Sequence, residues 1–326
     1  MKDHTDTTGA ARVLLAQLPT PLERLDRLSA HLGAEIWMKR DDLTGFAGGG
    51  NKVRKLEYLM AEAKAAGADT VVTAGALQSN HARQTAAAAT RLGMRAVLVL
   101  TEAVAGRTAA YDRGGNLALD RLLGAEIRRL PAGSDGAAAF AETVAELEAR
   151  GARVYPIPVG GSNLTGALGY ARAAAEIEEQ AAAIGLAPAR IVTGSGSAGT
   201  QAGLVLGTAI PVLGISVASS AAELAAKVGA LVAEGARSLP AFAGAAGREI
   251  LVDDRFVGPG YGQPTEAMRA ALQTVAELEA IFLDPVYSGK AMAGLIALAQ
   301  EGRLEGPSVF LHTGGMPAIF AYDDVI

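Results

Sequence analysis

Apolar runs of strand length alternate with segments of helical spacing along nearly the whole chain. Glu35-Ile36-Trp37-Met38-Lys39 and Thr70-Val71-Val72-Thr73 read as strands, as do Ala96-Val97-Leu98-Val99-Leu100 and Val154-Tyr155-Pro156-Ile157. Val53, Leu56, Met60 and Ala63 recur at three- and four-residue steps and predict a helix from Asn51 to about Ala66. A second helix is expected from Ser79 to Leu92, with others near 115–123 and 135–150. Further strands are expected near 190–193, 212–217, 250–252 and 308–312, with helices between. This alternation predicts an α/β fold with mainly parallel sheets covered by helices. The turn Pro158-Val159-Gly160-Gly161-Ser162-Asn163 is the expected crossing point between two such units.

Composition narrows the class. The chain has 326 residues, half of them hydrophobic, enough for one large or two moderate cores. Lys and Arg number 29 and Asp and Glu 34, a net charge of −5. No cluster of basic residues stands out, which argues against nucleic acid or an anionic membrane as partner. Cysteine is absent, so disulfides, a thiolate nucleophile and Cys-ligated metal are excluded. The polar N-terminus and the lack of an apolar run near membrane-spanning length give a soluble cytoplasmic protein as the expectation.

Three glycine-rich loops carry the candidate chemistry. In the first, Gly48-Gly49-Gly50 runs into Asn51-Lys52 at a helix start. Glycine lets backbone approach a ligand closely, and a lysine held there is placed to form an imine with a carbonyl cofactor; as a bare pattern it also fits a surface lysine. Of the seven lysines, Lys55 and Lys64 are expected on the solvated side of the helix, and Lys290, after Tyr287-Ser288-Gly289, is the rival to Lys52.

The second loop, Thr73 to His81, puts Ser79, Asn80 and His81 at a helix N-terminus, where free N–H groups favour an anion such as a substrate carboxylate. In the third, Thr193-Gly194-Ser195-Gly196-Ser197-Ala198-Gly199-Thr200-Gln201, backbone N–H groups and hydroxyls fit a phosphate. Gly194, Gly196 and Gly199 also satisfy the dinucleotide pattern, so an NADP-dependent oxidoreductase stays open; the acid expected after the next strand is missing, which counts against NAD. The four histidines lack metal-ligand spacing, so no metal site is expected. Tyr261 and Tyr287 sit in glycine-flanked turns, and His312-Thr313-Gly314-Gly315 ends a strand.

Taken in order, the motifs resemble a known family. Leu18-Pro19-Thr20-Pro21-Leu22, Lys39-Arg40-Asp41-Asp42, Gly49-Gly50-Asn51-Lys52-Val53-Arg54-Lys55-Leu56-Glu57, Gln78 to Gln84, Asp284 to Met292 and His312 to Gly315 are similar to the D-cysteine desulfhydrase and 1-aminocyclopropane-1-carboxylate (ACC) deaminase group of fold-type-II pyridoxal 5′-phosphate (PLP) enzymes, the tryptophan synthase β-like fold. The resemblance implies that Lys52 is the Schiff-base lysine, that Asn80 bonds the phenolic oxygen of PLP, and that Gly196, Ser197, Ala198, Gly199 and Thr200 form the phosphate cup. It implies that Ser79 contacts the substrate carboxylate or carries a proton, with Asn80 and His81 beside it, and that Tyr261 and Tyr287 are active-site tyrosines. A homodimer is implied, with a larger domain of residues 1–49 plus 161–326 and a smaller one of 50–160.

Within the group, ACC deaminases carry Glu and Leu where this chain has Ser288 and Thr313, and Gln in place of His81. These departures point to the D-cysteine desulfhydrase and L-cysteate sulfo-lyase branch. A carboxylate at the pyridine nitrogen strengthens the electron sink needed to open a cyclopropane; a hydroxyl suffices to expel a good leaving group. The expected reaction is α,β-elimination from a β-substituted alanine to pyruvate and ammonium, with sulfide or sulfite released. Lys52 would be the Cα base and Tyr287 or Tyr261 the proton donor.

Overall fold

The computed structural model describes residues 4–5 and 9–325. Among them, six strands form the larger sheet, in the order Leu251–Asp253, Val212–Ser216, Arg190–Ser195, Ser308–His312, Ile36–Arg40 and Leu22–Arg24. Neighbours run parallel except the last pair, which is antiparallel. The smaller sheet is all parallel: Glu126–Leu130, Arg95–Thr101, Thr70–Ala76 and Val154–Ile157. Both sheets are flanked by helices, as the alternation of patterns predicts. Continuous apolar strands such as Val97–Leu100 belong where both faces are covered.

The strand Thr70–Ala76 runs three residues past the expected Thr73, because Arg95–Thr101 pairs with it to its end. Glu126–Leu130 is not legible from its sequence, Glu-Ile-Arg-Arg-Leu. It is an edge strand, and Arg128 and Arg129 meet Glu146, Glu102 and Asp112 at 2.6–2.8 Å.

The helix Lys52–Ala65 positions the site and departs most from expectation. An amphipathic helix with one wet face was expected. Instead almost every residue from Val53 to Ala61 is buried, Lys55 included, while Lys64 is exposed. Leu56, Leu59 and Met60 join the core under the smaller sheet, with Val71, Ala82 and Leu98. Tyr58 joins the core under the larger sheet, with Ala167, Ile177 and Leu204. The helix is therefore wedged between both cores. The helix Leu164–Ala183 approaches it so closely that a Cβ at Gly169 would lie 2.4 Å from the Arg54 carbonyl oxygen.

A buried ionic network fixes the same helix. Arg54 donates to Asp41 at 2.8 Å and to Glu176 at 2.9 and 3.0 Å; Lys39 Nζ reaches Glu176 at 2.5 Å, and the Tyr170 hydroxyl reaches Asp41 at 2.5 Å. Burial alone would raise the Glu176 pKa, yet Arg54 and Lys39 hold it down at about 2. Such a network adds less net stability than its contacts suggest, because desolvation offsets the attraction. Its evident effect is to fix how the helix is turned.

Candidate active site

The glycine turn before Lys52 needs its glycines. Gly48, Gly49 and Gly50 have φ of +81°, +71° and +119°, and a Cβ on Gly49 would lie 1.8 Å from the Asp42 carbonyl oxygen. Gln84 Nε2 donates to Gly49 O at 2.6 Å, Gly50 N to Asp41 O at 3.0 Å, and Asn51 N to Thr313 O at 2.9 Å. Arg83 also donates to the Ala47 and Gly49 carbonyls.

Lys52 follows as the first helical residue and lines a cavity with Asn51, Asn80, the loop Gly194–Ala198, Thr200, Tyr287 and Thr313. The strand Arg190–Ser195 delivers that loop to the N-terminus of the helix Gly199–Gly207. Burial lowers the Lys52 pKa to about 8, with the Asp284 charge pulling the other way. The expected amine and the expected phosphate cup therefore face one cavity. This juxtaposition fits PLP, which needs both, and a bare dinucleotide loop has no use for the lysine.

Lys55 lies behind the cup and is fully buried, where a solvated surface lysine was expected. Its Nζ donates to Gly160 O at 3.0 Å and Ser162 Oγ at 3.2 Å. Ser162 Oγ in turn donates to Ser197 Oγ at 2.8 Å and accepts from Gly199 N at 3.2 Å. Burial and the nearby Lys52 charge push the Lys55 pKa well down. A Cβ on Gly199 would lie 2.7 Å from Ser162 Oγ and 2.9 Å from Lys55 Nζ, so glycine is needed for the cup to rest on this support.

The second loop divides. Ser79 caps the helix Asn80–Leu92, its Oγ accepting from Ala82 N at 3.1 Å, as the sequence predicts. Asn80 lines the cavity. His81 is buried with Nε2 2.9 Å from Thr73 Oγ1, and burial and the lysine charges hold its pKa well below the usual histidine value. His81 and Ser79 are not among the residues that line the cavity. His81 is thus held neutral and tied to Thr73 of the smaller sheet, one residue beyond the cavity-lining Asn80.

The two tyrosines come together from loops 26 residues apart, their hydroxyls 2.7 Å from each other and their rings edge to face. Tyr287 lines the cavity, and Tyr261 stands behind it. Burial raises both pKa values, Tyr261 to about 12 and Tyr287 well above the ordinary phenol, so both are protonated near neutral pH. Lys290, the expected rival to Lys52, does not line the cavity. Its Nζ donates to Val257 O at 2.6 Å and Gly260 O at 2.8 Å, which fastens the turn that presents Tyr261.

Ser288 and Thr313 also separate. Ser288 Oγ donates to Asp284 Oδ1 at 2.6 Å and accepts from Asp284 N at 2.7 Å, so its one hydrogen is committed to Asp284, and Ser288 is not among the residues that line the cavity. Thr313 is among them. A cofactor contact through the Ser288 hydroxyl would have to use its remaining acceptor lone pair, since its hydrogen goes to Asp284. Asp284 opens the motif Asp284 to Met292 but has no expected role of its own: its carboxylate also accepts from the Val286, Tyr287 and Ser288 N–H groups at 2.7–2.9 Å. The signal in the sequence was an Asp-Pro pair at a turn before a helix. Asn51, which lines the cavity and donates to Thr200 Oγ1 at 3.0 Å, had no signal beyond its place beside Lys52.

Known proteins resemble this chain over nearly its whole length. A family model described as pyridoxal-phosphate dependent enzyme matches residues 13–314. The D-cysteine desulfhydrase of Klebsiella pneumoniae subsp. pneumoniae is 48% identical over 322 residues, covering 97% of each chain. The D-cysteine desulfhydrase of Salmonella paratyphi B is 46% identical over 323 residues, again 97% of each. Among solved structures, an ACC deaminase homologue superposes with a TM-score of 0.87 at 38% identity, covering 96% of this chain and 94% of that one. A fungal L-serine ammonia-lyase from Rhizomucor miehei, at 18% identity and a TM-score of 0.67 over 94% of this chain and 97% of that one, shares the fold. The match across nearly the full length shows that this chain belongs to the pyridoxal-phosphate dependent enzyme family, with the fold-type-II architecture, and Lys52 shares its cavity with the glycine-rich loop Gly194–Ala198.

Proposed function

We propose that the chain is a PLP-dependent carbon–sulfur lyase that converts D-cysteine and water to pyruvate, ammonia and hydrogen sulfide. The observation that carries this reading is Lys52, an amine with its pKa lowered to about 8, facing the Gly196–Thr200 loop in a chain 48% identical to a D-cysteine desulfhydrase. Lys52 would hold the cofactor, Gly196 to Thr200 its phosphate, Asn80 its phenolic oxygen, and Thr313 would offer a neutral hydroxyl to the ring. When bound, PLP supplies the electron sink for charge developing at the substrate Cα.

The remaining work falls to the chain's own groups. Lys52 Nζ takes the Cα proton, and its lowered pKa leaves a useful neutral fraction near pH 8. The Tyr287 hydroxyl is the protonated group on the cavity wall and gives its proton to the departing sulfur, with Tyr261 O–H 2.7 Å behind it. Ser79 and the first N–H groups of its helix lie next to Asn80 and suit a carboxylate. The engaged Ser288 and the uncharged Thr313 support a modest electron sink, which suits a thiolate leaving group better than a cyclopropane.

A homodimer, a cytoplasmic location and two domains of 1–49 plus 161–326 and 50–160 go with this reading. The division is supported by the sheets, since the four strands of the smaller one fall between Thr70 and Ile157. No helix among the described residues is long and apolar enough to cross a membrane. Sedimentation tests the dimer.

The test is pyruvate release from D-cysteine, L-cysteate, β-chloro-D-alanine and ACC side by side. Purified protein is expected to be yellow and most active on D-cysteine, and Lys52→Ala to be inactive on all four. A colourless active protein would overturn the cofactor, and a preference for L-cysteate would replace sulfide by sulfite.

A further inference from the structure

Asn80 can present either its oxygen or its nitrogen to the cavity, and the two choices have opposite polarity. The hydrogen bonds behind it decide. Backbone carbonyls accept only, so Gln78 Nε2 must face the Tyr111 and Gly114 oxygens, at 2.6 and 3.1 Å. Gln78 Oε1 is then left to accept from Asn116 N at 2.8 Å. The Gln78 carbonyl likewise fixes Asn116, whose Nδ2 donates to it at 3.0 Å. The second hydrogen of that Nδ2 goes to Asn80 Oδ1 at 2.8 Å. The oxygen of Asn80 is thereby consumed, and its Nδ2 is the atom turned away from Asn116, 3.0 Å from where a Gly315 Cβ would stand. Asn116 is fully buried, and a Cβ at Gly115 would lie 2.4 Å from Gln78 Oε1, so the backbone leaves room for this relay of amides.

The geometry points to Asn116 as a positioning residue that sets the amide polarity of Asn80, so that a donor meets the phenolic oxygen of the cofactor. This rests on the proposed contact between Asn80 and that oxygen. The phenolic oxygen carries negative charge, so an N–H stabilises it and a carbonyl oxygen would repel it. Removing Asn116 frees Asn80 to turn. An acidic group in its place does more, because a carboxylate only accepts and draws the Asn80 NH2 away from the cavity.

The experiment titrates apoprotein with PLP and reads two quantities, the dissociation constant and the position of the visible absorbance band. Asn116→Ala is expected to weaken PLP binding roughly three- to tenfold and to move the band, the size of one ordinary hydrogen bond, because Asn80 is freed to turn but keeps its amide. Asn116→Asp is expected to weaken it by more, roughly 10- to 100-fold. In an Asn80→Leu background, Asn116→Asp is expected to add nothing to either quantity, the mark of a residue that acts through another. Normal binding and a normal band in both Asn116 variants, while Asn80→Leu changes both, would overturn the positioning role. An unchanged band and affinity in Asn80→Leu would overturn the Asn80 contact itself and the inference with it. Should Asn116→Asp fail to fold, Asn116→Ser carries the same comparison, with an effect expected no larger than that of Asn116→Ala.

Discussion

The hydroxyls of Tyr261 and Tyr287 lie 2.7 Å apart, with Tyr287 on the cavity wall and Tyr261 one hydrogen bond behind it. The order matters, because in the proposed reaction the phenol on the cavity wall gives up the proton and the second steadies or refills it. Tyr287→Phe is therefore expected to lower kcat by about 10²- to 10⁴-fold, the range for losing a general acid. Tyr261→Phe is expected to cost less. Steady-state pyruvate formation by the two variants checks this, and a larger loss at Tyr261 would reverse the assignment.

Lys290 fastens the turn that carries Tyr261 through the Val257 and Gly260 carbonyls. Lys290→Met keeps the length and removes the donors. We expect kcat to fall roughly tenfold with KM little changed, the pattern of a lost transition-state interaction. Combined with Tyr261→Phe, the loss should be smaller than the product of the two single losses. Fully multiplicative losses would mean that Lys290 does not act through Tyr261.

Lys52 gives a pH dependence with a definite sign. Its folded pKa of about 8 lies below the 10.5 of a free lysine, so the folded state disfavours the proton. The resulting destabilisation is complete below about pH 8 and fades as pH rises to 10.5. Apoprotein Lys52→Met is thus expected to melt higher than the parent at pH 7, by about 1–3 kcal/mol at most because the side chain opens on the cavity, with the gap closing by about pH 10. Thermal unfolding at the two pH values tests this; a parent that melts higher at neutral pH would count against a strained amine.

Ser288 and Thr313 should behave as unlike hydroxyls. Ser288→Ala breaks its bonds to Asp284 and is expected to cost about 1 kcal/mol of stability without moving the visible band. Thr313→Val keeps the shape and removes the hydroxyl proposed to meet the cofactor ring, so the band should move while the melting temperature holds. The opposite pattern would return Ser288 to the ring.

Much of this was legible in the sequence for identifiable reasons. Buried parallel strands demand apolar runs, which is why 96–100 and 308–312 stood out. Gly49 and Gly50 were legible because positive φ leaves few other choices of residue. The role of Asp284 was not legible, although the residue opens a motif, because its work is done through backbone N–H groups. Lys55 was misread because periodicity assumes one wet face, and its helix has cores on both sides. Asn116 was invisible, because its contact with Asn80 joins separate helices 36 residues apart. Ser288 and Thr313 looked equivalent because hydroxyl identity is in the sequence and hydroxyl partners are not.

The ionic clasp around Arg54 bears on how the chain can change length. Each residue added to a helix turns everything beyond it by about 100°. With Arg54 keyed to Asp41 and Glu176, one residue inserted between Lys52 and Arg54 would swing the amine out of the cavity by that angle while the rest of the helix stayed put. Deletion or insertion at these positions should abolish function in a chain that still folds. The exposed turn at 131–133 has no such indexing, and there the length of the chain is free to drift.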